Sequence, residues 1–392
     1  MGPYHFARMH ALRRRPAIRL TVAETSSRDD HNWSRGDEAE GLTILPAYTT
    51  SNGYMDLQDL RPEVVVVPGY WDIRSLVGIA EYRRQRREAL LLLWSESTAL
   101  DHRRNALIET FKTCLMSNFD GALVAGSRHA AYLAELGMPA ERIGIVGNCV
   151  DNEFFSSRAR ALRTEASVAP YFLFVGRLIP EKNIEGLIRA YERYRQRVGE
   201  KAWPLQIVGS GPLESRLKAQ VDRRALRGVT FAGLRQVHEL TQYYAHAGCF
   251  VLPSTSEPWG LVVNEAMACG LTVLVSDRCG CAPELVREGV NGFTFDPQST
   301  DDLASLMERV SSGALPLARF GRESVGIVSR FTPEAFAERT EVHLLKLLKL
   351  ERLVHDSLRR KFVGLATSGI CQLKKHRSRI GRRMRFFAGE NS

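Results

Sequence analysis

Short apolar runs separated by amphipathic stretches recur along most of the chain. In the first half, runs of strand length lie at 18–24, 42–48, 64–69, 89–96, 122–126 and 143–147. In the second half they lie at 171–176, 205–209, 229–233, 249–254, 272–276 and 292–295. Val64 to Val67 and Leu90 to Leu93 are unbroken rather than alternating, which suits parallel strands covered on both faces. Helical spacing fills the gaps, as at 73–87, 105–119 and 127–137. This is the βαβ rhythm of a doubly wound sheet, and it occurs twice. The polar stretch SSRARALRTEASV (156–168) interrupts it and reads as a linker between an N-terminal domain (1–155) and a second domain (169–330). A C-terminal helix (331–350) and a tail (351–392) follow. Ligands of such sheets settle at the carboxyl ends of the strands, so two facing sheets predict a shared cleft.

Composition narrows the class without changing this picture. At 392 residues the chain has room for two domains with ample cores, and 44% hydrophobic with 25% charged residues is ordinary for a globular protein. The densest apolar run, 89–94, is strand-sized, so no membrane-spanning helix is predicted. MGPYHFARMHALRRRP lacks the apolar core of a secretion signal. Seven scattered cysteines, with Cys279 and Cys281 the only close pair, read as reduced thiols of a cytoplasmic protein. The net charge of +10 is concentrated: 351–392 holds eleven Lys/Arg against three acids, and the remainder is nearly neutral.

The most chemically loaded segment is CFVLPSTSEPWGLVVNEAMACGLTVLVSDRCGCAPELVREGVNGFTF (249–295). A buried-looking strand runs through a polar loop carrying Glu257 into a helix carrying Glu265, eight positions on. Gly260 falls where backbone must approach a ligand closely. The Gly260-Leu261-Val262 turn opens a helix, whose unpaired N–H groups and positive dipole end favour anionic or hydroxyl-rich groups. Carboxylates beside such a cradle suit sugar and ribose hydroxyls, which donate to them, better than phosphate.

This segment resembles the signature of retaining GT-B glycosyltransferases of family 4, where two glutamates eight apart flank a GLV-type turn. The resemblance extends upstream in order: FLFVGRLIPEKNIEGLIRAY (172–191), LQIVGSGPLESRL (205–217) and VTFAGLRQVHELTQYYAHA (229–247). GNCVDNEFF (147–155) is similar to the family's segment leading into the hinge. It implies a GT-B fold, with two Rossmann-like domains facing a cleft, the first on the acceptor side and the second binding a nucleotide-diphosphate sugar. Within that reading, Gly176, Gly209 and Gly211 line the donor site. Arg177 and Lys182 supply the fixed positive charge that a departing diphosphate needs. Glu265 accepts from the ribose hydroxyls, and Glu257 accepts from the donor sugar or orients its loop. The protein's part is then positioning and electrostatics, with the donor phosphate taking the acceptor proton.

On the acceptor side, Ser95 and Glu96 end an apolar strand near where many relatives carry an active-site histidine, and His5 faces the cleft by its loop position. Glu96 reads as fixing a donor-sugar or acceptor hydroxyl, with a helix-entry cap as the competing reading. No metal site and no cofactor are implied; Asp29-Asp30 and Asp301-Asp302 read as turn or helix-start residues. The chain departs from the family at its start: Gly2 to His5 look like the end of a glycine-rich loop and 6–15 like the first helix, with the preceding strand missing. A misplaced start upstream is the favoured explanation. The implied partners are a nucleotide sugar and a hydroxyl-bearing sugar, lipid-linked or small-molecule acceptor, with no specific nucleic acid. The tail, in which basic clusters alternate with Phe362, Leu365, Phe386 and Phe387, adds an anionic membrane surface, at the inner face of the membrane. Two other readings compete: a nucleotide-sugar 2-epimerase of the same fold, and a truncated binding protein without turnover.

Overall fold

The computed structural model describes residues 3–23, 41–45, 61–69, 84, 89–101, 104–163 and 169–349. The N-terminal elements are α1 (Pro3–Arg13), β1 (Val22–Ala23), β2 (Ile44–Leu45), β3 (Val64–Pro68), β4 (Leu90–Ser95), α2 (Ala106–Met116), β5 (Gly121–Val124), α3 (Ser127–Glu135), β6 (Ile143–Ile145) and α4 (Asn152–Leu162). Beyond them come β7 (Phe172–Val175), α5 (Ile184–Val198), β8 (Leu205–Val208), α6 (Glu214–Arg223), β9 (Val229–Gly233), α7 (Val237–His246), β10 (Cys249–Leu252), α8 (Leu261–Ala268) and β11 (Thr272–Ser276). The chain continues through α9 (Ala282–Leu285), β12 (Gly292–Phe295), α10 (Thr300–Ser311), α11 (Leu317–Val328) and α12 (Pro333–Lys349).

The second half forms a six-stranded parallel sheet in the order β12-β11-β10-β7-β8-β9. Its central strands are buried on both faces, as Phe172–Val175 and Cys249–Leu252 show residue by residue, so the unbroken apolar runs are satisfied. The helices present one apolar stripe each. On α5, Ile184, Leu187, Ile188, Tyr191 and Tyr194 face inward at helical spacing, while Arg193 and Arg197 face out to Asp301 on α10. The strand order reverses beside β7, where β10 lies on one side and β8 on the other. That reversal opens a crevice at the carboxyl ends of these strands.

The first half is also α/β and parallel, but its described strands fall into two sheets, β3-β4-β5-β6 and the short pair β1-β2. Here the sequence reading needs correction in places. Val64 to Val67 do not form a doubly covered strand: Val66 is 42% exposed. The reason is position, because β3 is hydrogen-bonded only to β4 among the described residues and so stands at the edge of the described sheet. The runs at 18–24 and 42–48 contribute only two strand residues each. The helix expected at 73–87 lies outside the described residues apart from Arg84, and the tail lies outside them altogether. So do Asp29 and Asp30.

Two boundaries also shift. The presumed linker begins as helix: α4 runs from Asn152 to Leu162, capped by Asp151, whose Oδ1 accepts from the Phe154 amide. Phe155 and Ala159 on this helix belong to the core of the six-stranded domain. Helix α12 returns instead to the N-terminal sheet. Phe336 and Ala337 pack with Ala11, Leu12, Leu123 and Val146, and Leu347 packs against Leu90 and Leu92. The chain therefore crosses between the two sheets twice, at 147–152 and again ahead of α12.

Candidate functional site

At the crevice, two glycine-bearing turns press together. Gly176 follows β7 and Gly209 follows β8, both at positive φ (156° and 136°). A Cβ on Gly209 would lie 1.9 Å from the Gly176 carbonyl oxygen, and one on Gly211 would lie 2.6 Å from that of Leu178. No side chain fits between these turns, so backbone lines this wall. Arg177 follows on the same turn, exposed, its side chain without an ion pair or hydrogen bond among the described residues. Lys182 sits at the end of the 3₁₀ turn Pro180–Lys182, just ahead of α5.

Lys182 reaches across to the loop after β10 and pairs with Glu257 through Oε2, an oxygen that also accepts from Ser254 Oγ at 3.4 Å. Glu257 is buried. Such a pair holds both side chains at the crevice wall, with Lys182 retaining donor capacity toward a ligand. Gly260, at φ 101°, starts α8 with no side-chain cap, which leaves that helix end to other acceptors.

Glu265 is not the solvated helix carboxylate that its polarity alone would suggest. It is 1% exposed, and both oxygens are occupied: Tyr4 Oη donates to Oε1 at 2.6 Å and Tyr244 Oη donates to Oε2 at 2.7 Å. Burial pushes its pKa up to about 7, with the two phenolic donors pulling the other way. The same burial and the neighbouring carboxylate raise both phenols. The sign of the resulting pH effect is fixed. Because the folded chain holds this proton to higher pH than the unfolded one, the group weakens folding progressively as pH rises from about 4.5 to 7 and fully above that. Glu265→Gln removes the effect. The stability difference between variant and wild type should therefore shift in the variant's favour by roughly 1–3 kcal/mol between pH 5 and pH 8, read by thermal melts. Parallel melting curves across that range would contradict it.

The acceptor-side residues are placed as follows. Ser95 ends β4, buried, and its Oγ accepts from the Ser97 amide at 3.3 Å. Glu96 is not a helix cap. Its Oε1 accepts from Asn148 Nδ2 at 2.9 Å and Trp94 Nε1 at 3.3 Å and lies 3.8 Å from Arg8 Nη1, while the side chain remains 37% exposed. His5 stands in the first turn of a helix rather than a loop, because Pro3 is tolerated at a helix start; it is exposed and its Nδ1 lies 3.2 Å from Arg8 Nη2.

Several residues that the sequence reading passed over tie the two halves together. Arg8 is buried, stacked over Trp94 and Phe336, and donates to Asn148 Oδ1 at 2.8 Å. Asn148 O accepts from Asn264 Nδ2 at 3.2 Å, and Asn264 Oδ1 accepts from Trp259 Nε1 at 2.9 Å. A buried polar chain thus runs from Glu96 to the Glu257 loop. At the start of α3, Arg128 donates to the carbonyls of Asp277 and Cys279, and His129 Nε2 lies 2.8 Å from Pro258 O. Glu284 Oε1 accepts from the Ser127 amide at 2.6 Å, capping α3 from the opposite domain, since Gly126 has no side chain to do so. Cys279 and Cys281 are buried thiols raised well above their ordinary range by that burial. Among the described residues no group of three or more His, Cys, Asp or Glu could hold a metal ion, and Asp301 is engaged with arginines.

Comparison with known proteins agrees with the fold. A model of the family "Glycosyl transferases group 1" matches residues 158–324. The glycogen synthase of Mycobacterium tuberculosis is 30% identical over 296 residues, covering 73% of this chain and 70% of that protein. The uncharacterized glycosyltransferase MJ1607 of Methanocaldococcus jannaschii is 38% identical over 141 residues, 36% of this chain and 35% of the relative. The chain also spans only 23% to 45% of the length of several other curated relatives that it matches. Among solved structures, Anabaena Alr3699/HepE in complex with UDP and glucose superposes with a TM-score of 0.67 at 20% identity, covering 88% of this chain and 96% of that one.

Proposed function

The chain belongs to the glycosyl transferases of group 1, and from that premise we propose a retaining, family 4 enzyme that moves a sugar from a nucleotide-diphosphate sugar to a hydroxyl acceptor without a metal ion. The observation that carries this reading is the convergence at one crevice of the Gly176 and Gly209 turns, the Lys182–Glu257 pair and the uncapped start of α8. Backbone and cations are what a diphosphate requires, and carboxylates nearby are what hydroxyls require.

In this reading Arg177 and Lys182 face the diphosphate and stabilise the charge it gains as the glycosidic bond breaks. Glu257, held by Lys182 and Ser254, accepts from a donor-sugar hydroxyl. Gly260, Leu261 and Val262 offer the amides of the helix start, and Glu265 takes the ribose. Glu96, fixed through one oxygen by Asn148, Trp94 and Arg8, presents the other toward the acceptor side. The acceptor is a sugar, a lipid-linked sugar or a small molecule. No described helix is long and apolar enough to cross a membrane. The route to a membrane-bound acceptor is then the basic tail, lying at the inner face of an anionic membrane from the cytoplasmic side.

Incubation with a panel of nucleotide sugars and simple glycoside acceptors tests the function. Release of nucleoside diphosphate together with a new glycoside of unchanged anomeric configuration is the expected result. An epimerised nucleotide sugar, or binding with no turnover across the panel, would instead favour the epimerase or the non-catalytic binder.

A further inference from the structure

The two tyrosines on Glu265 differ in a way that gives them different jobs. Tyr244 belongs to α7, in the same domain as Glu265, and is enclosed in the core of that domain. Its bond to Oε2 is internal to the domain. Tyr4 comes from the opposite half of the molecule, 261 positions away, at the first turn of α1, and is only partly buried. It reaches Oε1, the oxygen that Tyr244 leaves available. Each oxygen keeps a second lone pair, but the residue is 1% exposed, so with Tyr4 in place neither oxygen is open to a ligand. If Glu265 is to accept from a ribose, the Tyr4 hydroxyl must leave first.

We propose that Tyr244 is the positioning residue that fixes the Glu265 carboxylate, and that Tyr4 is an intramolecular stand-in for the ribose, exchanged for it when a nucleoside diphosphate binds. This rests on the assignment of Glu265 to the nucleotide and adds the identity of what the nucleotide displaces. The exchange is chemically matched, since a phenol and a ribose hydroxyl each donate one O–H to the same oxygen. It also has a route outward. Arg8 Nε donates to Tyr4 O at 3.2 Å, and the same guanidinium donates to Asn148 Oδ1, whose amide nitrogen donates to Glu96. Nucleotide arrival at Glu265 is thereby linked to the hydrogen bonds that orient Glu96 on the acceptor side.

UDP, GDP and ADP titrated into the full chain by calorimetry, at fixed pH, provide the test. Tyr4→Phe keeps the ring and removes the competing donor, so it should bind the preferred nucleotide about three- to tenfold more tightly than wild type. Tyr244→Phe should bind it more weakly. Opposite signs from two equally conservative changes are not the pattern of a shared structural role. Equal or weaker binding by Tyr4→Phe, alongside a clear loss in Glu265→Gln, overturns the exchange and leaves the Glu265 assignment standing. No loss in Glu265→Gln overturns both. A variant-free check uses hydrogen exchange on the wild-type chain. Saturating nucleotide should speed exchange in the first turns of α1 while slowing it at 261–265, and slower exchange at both would overturn the proposal.

Discussion

Lys182→Ala is expected to reduce turnover by about 10²–10³-fold, the usual effect of removing one fixed donor aimed at a developing anion. The structure adds a complication that makes the experiment more informative. Lys182 also neutralises Glu257, which is buried. Removing the lysine alone leaves that carboxylate without its partner, at roughly 1–3 kcal/mol of stability. Lys182→Met combined with Glu257→Gln separates the two roles. The double variant should recover the melting temperature while remaining at least as inactive as the single one, because it also alters the Glu257 contact to the donor sugar. Recovery of turnover along with stability would mean that Lys182 serves the fold and not the reaction.

Gly209→Ala should be the most damaging single methyl group in the crevice. Its φ of 136° is unfavourable for any residue with a Cβ, and that Cβ would stand 1.9 Å from the Gly176 carbonyl oxygen. The two turns must then separate, moving the backbone that lines the diphosphate wall. A loss of roughly 3–5 kcal/mol is expected, with activity lost beyond what instability accounts for. Gly233→Ala is the matched control. Gly233 also has positive φ (74°), but its Cβ would meet nothing within 4 Å, so only backbone strain of about 1 kcal/mol applies. Thermal melts of the pair check both values; similar losses in the two would show that the Gly176–Gly209 contact matters little.

The six-stranded domain was legible in the sequence because its strands are buried on both faces, and burial writes itself as uninterrupted apolar residues. Every one of its strands lies where the apolar runs placed it. The N-terminal half was harder to read. The Val64–Val67 run looks like a central strand, yet among the described residues β3 pairs only with β4, and apolarity does not report how many neighbours a strand has. Residues 156–162 read as linker because their arginines and serines face water, while Phe155 and Ala159 hold the helix to the core.

In the site, Glu257 and Glu265 were visible through spacing, but not their surroundings. Nothing local marks Tyr4 or Tyr244 as partners of a carboxylate 261 and 21 positions away. The asparagine pair had a usable signal. Asn148 follows Gly147, which turns at φ 84° where the chain passes between the sheets, and a buried amide beside such a turn has to find partners in whatever packs there. Glu284 could not have been found from pattern alone, since the helix that it caps belongs to the other half of the molecule.

Hydrogen exchange of the full chain, with and without saturating UDP, GDP or ADP, tests the donor-site assignment most directly, because it locates the nucleotide without presupposing the sugar or the acceptor. Protection should appear at 176–183, 209–211 and 257–265, and should be lost in the Lys182→Met/Glu257→Gln variant. Protection confined to the N-terminal sheet, or persisting unchanged in that variant, would contradict the assignment.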